Sequence, residues 1–85
     1  MAKMRVEDGQ AVYILEHRIP RIAKRKYPYD HKARVKCLMK MLSRERHNIP
    51  YEVCTHLMSR YTGRITVIAP DGTRYQAHHT DVIRM

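Results

Sequence analysis

Between Arg18 and Lys36 almost every second residue is a cation. Arg18, Arg21, Lys24, Arg25, Lys26, Lys32, Arg34 and Lys36 stand against one acid, Asp30, so this stretch holds +7 of the chain's net +9. Charges so closely spaced repel one another and oppose folding unless counter-charges lie near. The plain reading is a solvated face. The sharper one is a surface for a polyanion, either nucleic acid or an acidic protein groove.

Prolines divide this run. Upstream, Ala11, Val12, Leu15, Ile19 and Ile22 fall at helical spacing, although Val12, Tyr13 and Ile14 also suit a strand. The spacing favours a helix over Gln10–Arg18, after the turn at Asp8-Gly9. Pro20 breaks it near Ile19, since a proline inside a helix costs about 3 kcal/mol. A second short piece then runs from Pro20 to about Lys26. Tyr27-Pro28-Tyr29 ends it, because the residue before proline avoids the helical region.

Asp30–His47 is the clearest helix. Asp30 is a good N-cap, and its charge suits the positive helix end. Ala33, Cys37, Leu38, Met41 and Leu42 form an apolar stripe. Lys32, Lys36, Lys40, Ser43, Arg44 and His47 form a basic stripe opposite it. Asn48-Ile49-Pro50 is a turn, and Pro50 predicts a third helix over Pro50–Tyr61. That helix would bury Val53, Cys54, Leu57, Met58 and Tyr61 and expose Glu52, Thr55, His56, Ser59 and Arg60. Gly63 would end it in a left-handed conformation. Arg64–Ala69 and Arg74–His79 flank Pro70-Asp71-Gly72-Thr73 and predict a β-hairpin. Thr80-Asp81 could cap a last turn, or Val82 and Ile83 could extend a strand.

The 85 residues make one domain over 1–85, with residues 1–8 a frayed end or a short extended piece. A chain this short buries about 60–65% of its unfolded surface. Trp and Phe are absent, so Leu, Ile, Val and Met must fill the core, with Tyr at its margins. The expected class is α+β: a small three-helix domain followed by a C-terminal hairpin. Leu38→Ala and Leu57→Ala would each cost about 2–5 kcal/mol if both leucines are buried.

That element order, over Gln10–His79, resembles the winged helix-turn-helix domains. The resemblance implies that the helix before the hairpin enters the major groove and the hairpin touches backbone or minor groove. Thr55, His56, Ser59 and Arg60 would then face bases, with Arg64 and Arg74 flanking the wing. The most basic segment lies earlier, which favours phosphate contacts over base readout. The candidate binding residues are therefore Arg18, Arg21, Lys24, Arg25, Lys26, Lys32, Lys36, Lys40, Arg44, His56, Arg60, Arg64 and Arg74. Tyr27 and Tyr29, inside the basic run, could stack unpaired bases, or pin a loop to the core. Changing Lys36, Lys40 and Arg44 together to Glu is expected to abolish binding and leave the fold intact.

Catalysis has little to stand on. Cys37 and Cys54 belong to apolar stripes, where thiols are inert. Only three glycines are present and none builds a phosphate-cradling loop. The six histidines do not fall at zinc-ligand spacing; Cys54 and His56 would diverge on a helix. No cofactor, metal or small-molecule substrate is expected. The start lacks an apolar signal segment, no run is long enough to span a bilayer, and reduced thiols suit a cytoplasmic setting. The expected function is that of a small nucleic-acid-binding regulator, with DNA ahead of RNA. The alternative is a non-catalytic inhibitor or modulator that binds an acidic protein, such as a nucleic-acid-handling enzyme.

Overall fold

Val12 and Ile14 are β-branched and flank Tyr13, and the extended form wins over the helical spacing around them. The computed structural model, which describes residues 4–85, has strand β1 at Ala11–Ile14. The helix expected over Gln10–Arg18 does not form. β1 pairs antiparallel on both sides, so its backbone groups are satisfied by two neighbours instead of by a helix. Val12 and Ile14 point into the core, and Tyr13 points away from it.

A single 3-10 turn, Glu16–Arg18, leads into helix α1, Ile19–Lys26. Pro20 sits in its first turn, where a missing N–H costs nothing, so the expected second piece is present. Helix α2, His31–Arg46, also follows expectation. The Asp30 carboxylate accepts from the Ala33 N–H at 3.0 Å. Cys37 and Met41 are buried, while Leu38 and Leu42 pack at the core's margin.

The helix expected over Pro50–Tyr61 is the main correction. Tyr51–Cys54 is strand β2, held between β1 and the next strand. Tyr51 and Val53 are buried, and Glu52 and Cys54 turn to the other face. Proline suits the approach to a strand as well as to a helix, so Pro50 does not discriminate between them. Residues 55–58 form a loop, and α3, Ser59–Thr62, is one turn. Leu57, Met58 and Tyr61 are 90%, 53% and 71% exposed, whereas Ser59 is buried and its Oγ accepts from the His56 N–H at 3.0 Å. Gly63 closes α3 with φ of 73°, in the left-handed region.

The hairpin is present as β3, Arg64–Ile68, and β4, Arg74–His78. Ile65 faces Ala77 and Val67 faces Tyr75, all inward. Asp81 ties back to β4 by accepting from the His78 N–H at 2.9 Å, closing a 3-10 turn over His79–Asp81. β5, Val82–Arg84, then pairs with β1. Both readings of this end are thus realised in succession. The strands are not one hairpin but a five-stranded antiparallel sheet in the order β4-β3-β2-β1-β5.

That order has a geometric consequence. A flat five-stranded sheet would set its edge strands about 19 Å apart. From His78 to Val82 the chain reaches at most about 14 Å, and less through a 3-10 turn. The sheet must therefore curl until β4 and β5 approach each other. Two bonds hold the connection: the His79 N–H donates to the Gly63 carbonyl, and the Leu15 N–H to the Asp81 carbonyl, both at 2.9 Å. Inside the curl lie Val12, Ile14, Tyr51, Val53, Ile65 and Val67, packed in one cluster with Ile19, Ile22, Cys37 and Met41 of the helices. The helices, inserted between β1 and β2, cover its open side.

The expected frayed end falls partly on residues 1–3, which lie outside the described residues. Further along, Val6 is buried in the core cluster and Asp8 accepts from the Thr55 N–H at 2.8 Å.

Two pairs of substitutions check this arrangement by urea denaturation. Met41→Ala should cost about 2–5 kcal/mol, and Leu57→Ala should stay within about 0.5 kcal/mol, in place of the loss expected for a buried leucine. Gly9→Ala should cost about 1 kcal/mol for its positive φ alone, having no neighbour near the added methyl. Gly63→Ala should cost clearly more, because its methyl would also run into the His78 ring.

Candidate nucleic-acid interface

On α1, Ile19, Ile22 and Ala23 face the core, which leaves Arg21 and Lys24 on the outward side. Arg25 and Lys26 turn toward β4, one of the two edge strands of the sheet. The Arg25 guanidinium donates to the Gln76 carbonyl at 3.1 Å, and the Lys26 ammonium to the Arg74 carbonyl at 2.9 Å. Unpaired edge carbonyls would otherwise invite a foreign strand. These two cations therefore seal the edge. The Lys26 ammonium also lies 5.6 Å from the Tyr27 ring centre and 5.3 Å from that of Tyr75, within range of attraction to both.

α2 continues the line. Lys32, Lys36 and Lys40 run along one exposed flank. Lys36 and Lys40 border a recess of about 430 Å³ whose walls include Tyr27, Cys37, Thr73 and Tyr75. The Lys40 ammonium is 3.6 Å from the Asp71 carboxylate, in the turn between β3 and β4. Passing back along β4 from Gln76 to Arg74 and on into the turn at Thr73 and Asp71, the chain thus meets Arg25, Lys26, the lysine pair and finally Arg44.

Arg44 corrects an expectation. Helical phase places it in the exposed basic stripe, yet it is only 8% exposed. Its guanidinium donates to the Tyr75 hydroxyl at 3.1 Å and to Asp71 at 2.9 Å, and lies 5.7 Å from the Tyr51 ring centre. It pins α2 to the sheet and to the β3–β4 turn. An Arg44→Glu change would bury a carboxylate beside Asp71 and remove the donor to the Tyr75 hydroxyl. The triple Glu substitution is therefore expected to destabilise the fold as well as remove charge.

Two further cations of the run are structural. Arg34 donates to the carbonyls of Tyr27 and Pro28, at 3.1 and 2.9 Å, and holds the α1–α2 turn. The Arg18 guanidinium lies 3.6 Å from the Asp81 carboxylate, which is wholly buried. Close by, His79 is also buried, and its pKa is lowered by that burial and by the charges of His78 and Arg5.

The remaining candidates are dispersed. His56 is in the loop before α3, Arg60 on α3, Arg64 on β3, and Arg74 on the outer face of β4. Thr55, His56, Ser59 and Arg60 share no helix face, since a loop and one turn replace the expected recognition helix. Tyr29 is 97% exposed, and Tyr27 is half-buried at the recess. Sequence reasoning missed Thr73 and Tyr75, which join the site only through β4. It also missed the exposure of Leu57, Met58 and Tyr61, which border a groove of about 1000 Å³ with Met4, His56 and Arg60.

Both thiols are free. Burial pushes the Cys37 thiol above its ordinary value, against the opposing charges of Lys26, Arg44 and Lys40. Cys54 sits on the sheet's outer face, not in an apolar helix stripe as expected. Among the described residues, no group of three His, Cys, Asp or Glu is placed to hold a metal ion, and no helix is long and apolar enough to cross a membrane. No family model matches the chain, nor does any curated protein or solved structure with which it was compared.

The Arg44–Asp71 pin gives a pH prediction. Hydrogen bonds from the Thr73 backbone and side chain, assisted by the charges of Arg44 and Lys40, hold the Asp71 carboxyl at about 2, below its ordinary 3.8. A depressed carboxyl stabilises the fold fully above its unfolded value, and that contribution disappears as pH falls through the folded one. Asp71→Asn should therefore flatten the fall in urea midpoint between pH 3.8 and about 2. An unchanged acid limb would show that this carboxylate carries no folding energy.

Proposed function

We propose that this protein binds nucleic acid by its phosphate backbone, as a regulator would, and without catalysing a reaction. The observation that carries the reading is the outer surface of the helical pair. Arg21, Lys24, Lys32 and Lys36 are all exposed there, and among the described residues none of them has a carboxylate partner. Cations left unpaired in this way can neutralise phosphates and release the counterions condensed on a strand. Arg18, Arg34 and Arg44 serve the fold and are not part of the binding set.

A reading based on phosphate contact predicts strong salt dependence and little sequence preference. It applies to DNA, the ligand favoured in this reading, and to RNA. A cytoplasmic setting with reduced thiols accompanies it.

A second reading rests on a different observation. Leu57, Met58 and Tyr61 stand exposed together beside a groove, and clustered apolar side chains of this kind mark protein-binding sites. The partner in that case would be a protein, and the chain a non-catalytic inhibitor or modulator. A pull-down from nuclease-treated lysate separates the two, since a partner held through nucleic acid is released by that treatment.

The direct test is a titration against single-stranded and duplex DNA and RNA oligonucleotides at two salt concentrations. Affinity should fall steeply with salt. The variant with Arg21, Lys24, Lys32 and Lys36 all changed to Gln should reduce the log–log salt slope by about 3, at about 0.7–0.9 for each phosphate no longer neutralised. Its thermal midpoint should remain near that of the parent chain. Binding no tighter than about micromolar at low salt, or an unchanged slope in the variant, would refute the reading.

A further inference from the structure

The recess beside β4 differs from the rest of the basic surface in being concave and mixed in chemistry. Lys36 and Lys40 stand at its border, with Cys37 between them in sequence and buried at the wall. Thr73 and Tyr75 form the opposite side, and Tyr27 closes one end. Lys26 lies close to both tyrosine rings, so a third ammonium is held at the same place. The nearest acid, Asp71, is already engaged by Arg44 and Thr73, and only loosely by Lys40. Its charge is thus largely committed elsewhere. A volume of about 430 Å³ is within the range of small-ligand pockets, and is large enough for a phosphate with its attached sugar.

From this we infer that the recess is a phosphodiester seat: one phosphate of a bound strand lies between the ammonium groups of Lys36 and Lys40, with its sugar against Tyr27. The inference rests on the nucleic-acid reading above and adds a location to it. The outer cations attract the strand at long range, and the recess fixes where one phosphate comes to rest. Lys26 stays at the β4 edge, where its bond to the Arg74 carbonyl is kept, and adds positive potential without moving.

The backbone amides of Thr73 and Tyr75, across the recess from the lysine pair, report on its occupant. The Cys54 amide, on β2, serves as an internal reference. The experiment records nitrogen–proton correlation spectra of the isotope-labelled intact chain. It is run with no ligand, with a single-stranded oligonucleotide, and with a nucleoside monophosphate. Oligonucleotide binding is followed separately by fluorescence anisotropy.

With oligonucleotide at about ten times its Kd, the Thr73 and Tyr75 signals should reach about nine-tenths of their limiting shift while the Cys54 signal stays in place. In the variant with Lys36→Gln and Lys40→Gln that shift should vanish, with the circular dichroism spectrum retained. Oligonucleotide binding with no shift at Thr73 and Tyr75 would overturn the seat and leave the broader reading standing. Absence of oligonucleotide binding would overturn both. An equal shift with the nucleoside monophosphate would identify a free phosphomonoester as the occupant and overturn the assignment to a strand.

Discussion

Three residues, His79–Asp81, join strands that stand at opposite ends of the sheet order. So short a connection leaves a flat sheet no solution, and the curl that it forces sets the arrangement of core and helices alike. It gathers the inward side chains of all five strands around one core. It also leaves the mouth of the curl to be filled from elsewhere, and the pair of helices inserted between β1 and β2 supplies the filling. In a chain of 85 residues without Trp or Phe, such closure is an effective way to enclose apolar surface.

The helices bring with them most of the protein's positive charge, and the fold divides that charge into two kinds. Some cations serve structure. Arg25 and Lys26 occupy the carbonyls of the β4 edge, Arg34 braces a turn, Arg44 is pinned by Asp71 and Tyr75, and Arg18 faces the buried Asp81. The others remain in water along the outer helical surface. Repulsion within the run is thereby eased in part by carbonyl dipoles and by the Asp81 carboxylate, while Asp71 offsets Lys40 and Arg44 further along α2. What is left over is the potential on which the proposed function depends.

Legibility tracks the range of the interactions. α2 is readable because its signals are local: Asp30 as a cap, a stripe at helical period, and basic residues near its end. The β3–β4 turn and the left-handed Gly63 are readable for the same reason, through residues whose backbone preferences dominate. β1 and β2 read falsely as helix because four-residue strands have too few alternations to outweigh chance helical spacing, and their stability comes from neighbours on both sides. The site is half legible. Exposure of Lys32 and Lys36 follows from helical phase, but the same argument exposes Arg44, whose partners lie 27 and 31 residues away.

The amino-acid sequence alone determined that this chain has a basic helical surface, a capped central helix and a tight C-terminal turn, because charge, capping and turn geometry act over a few residues. Only the tertiary structure decided which cations remain available. It set Arg44 against Asp71 and Tyr75, laid Lys26 along β4, and brought Thr73 and Tyr75 beside Lys36 and Lys40. Those choices depend on where a curled sheet places its edge, and that position is a property of pairings between segments distant in sequence.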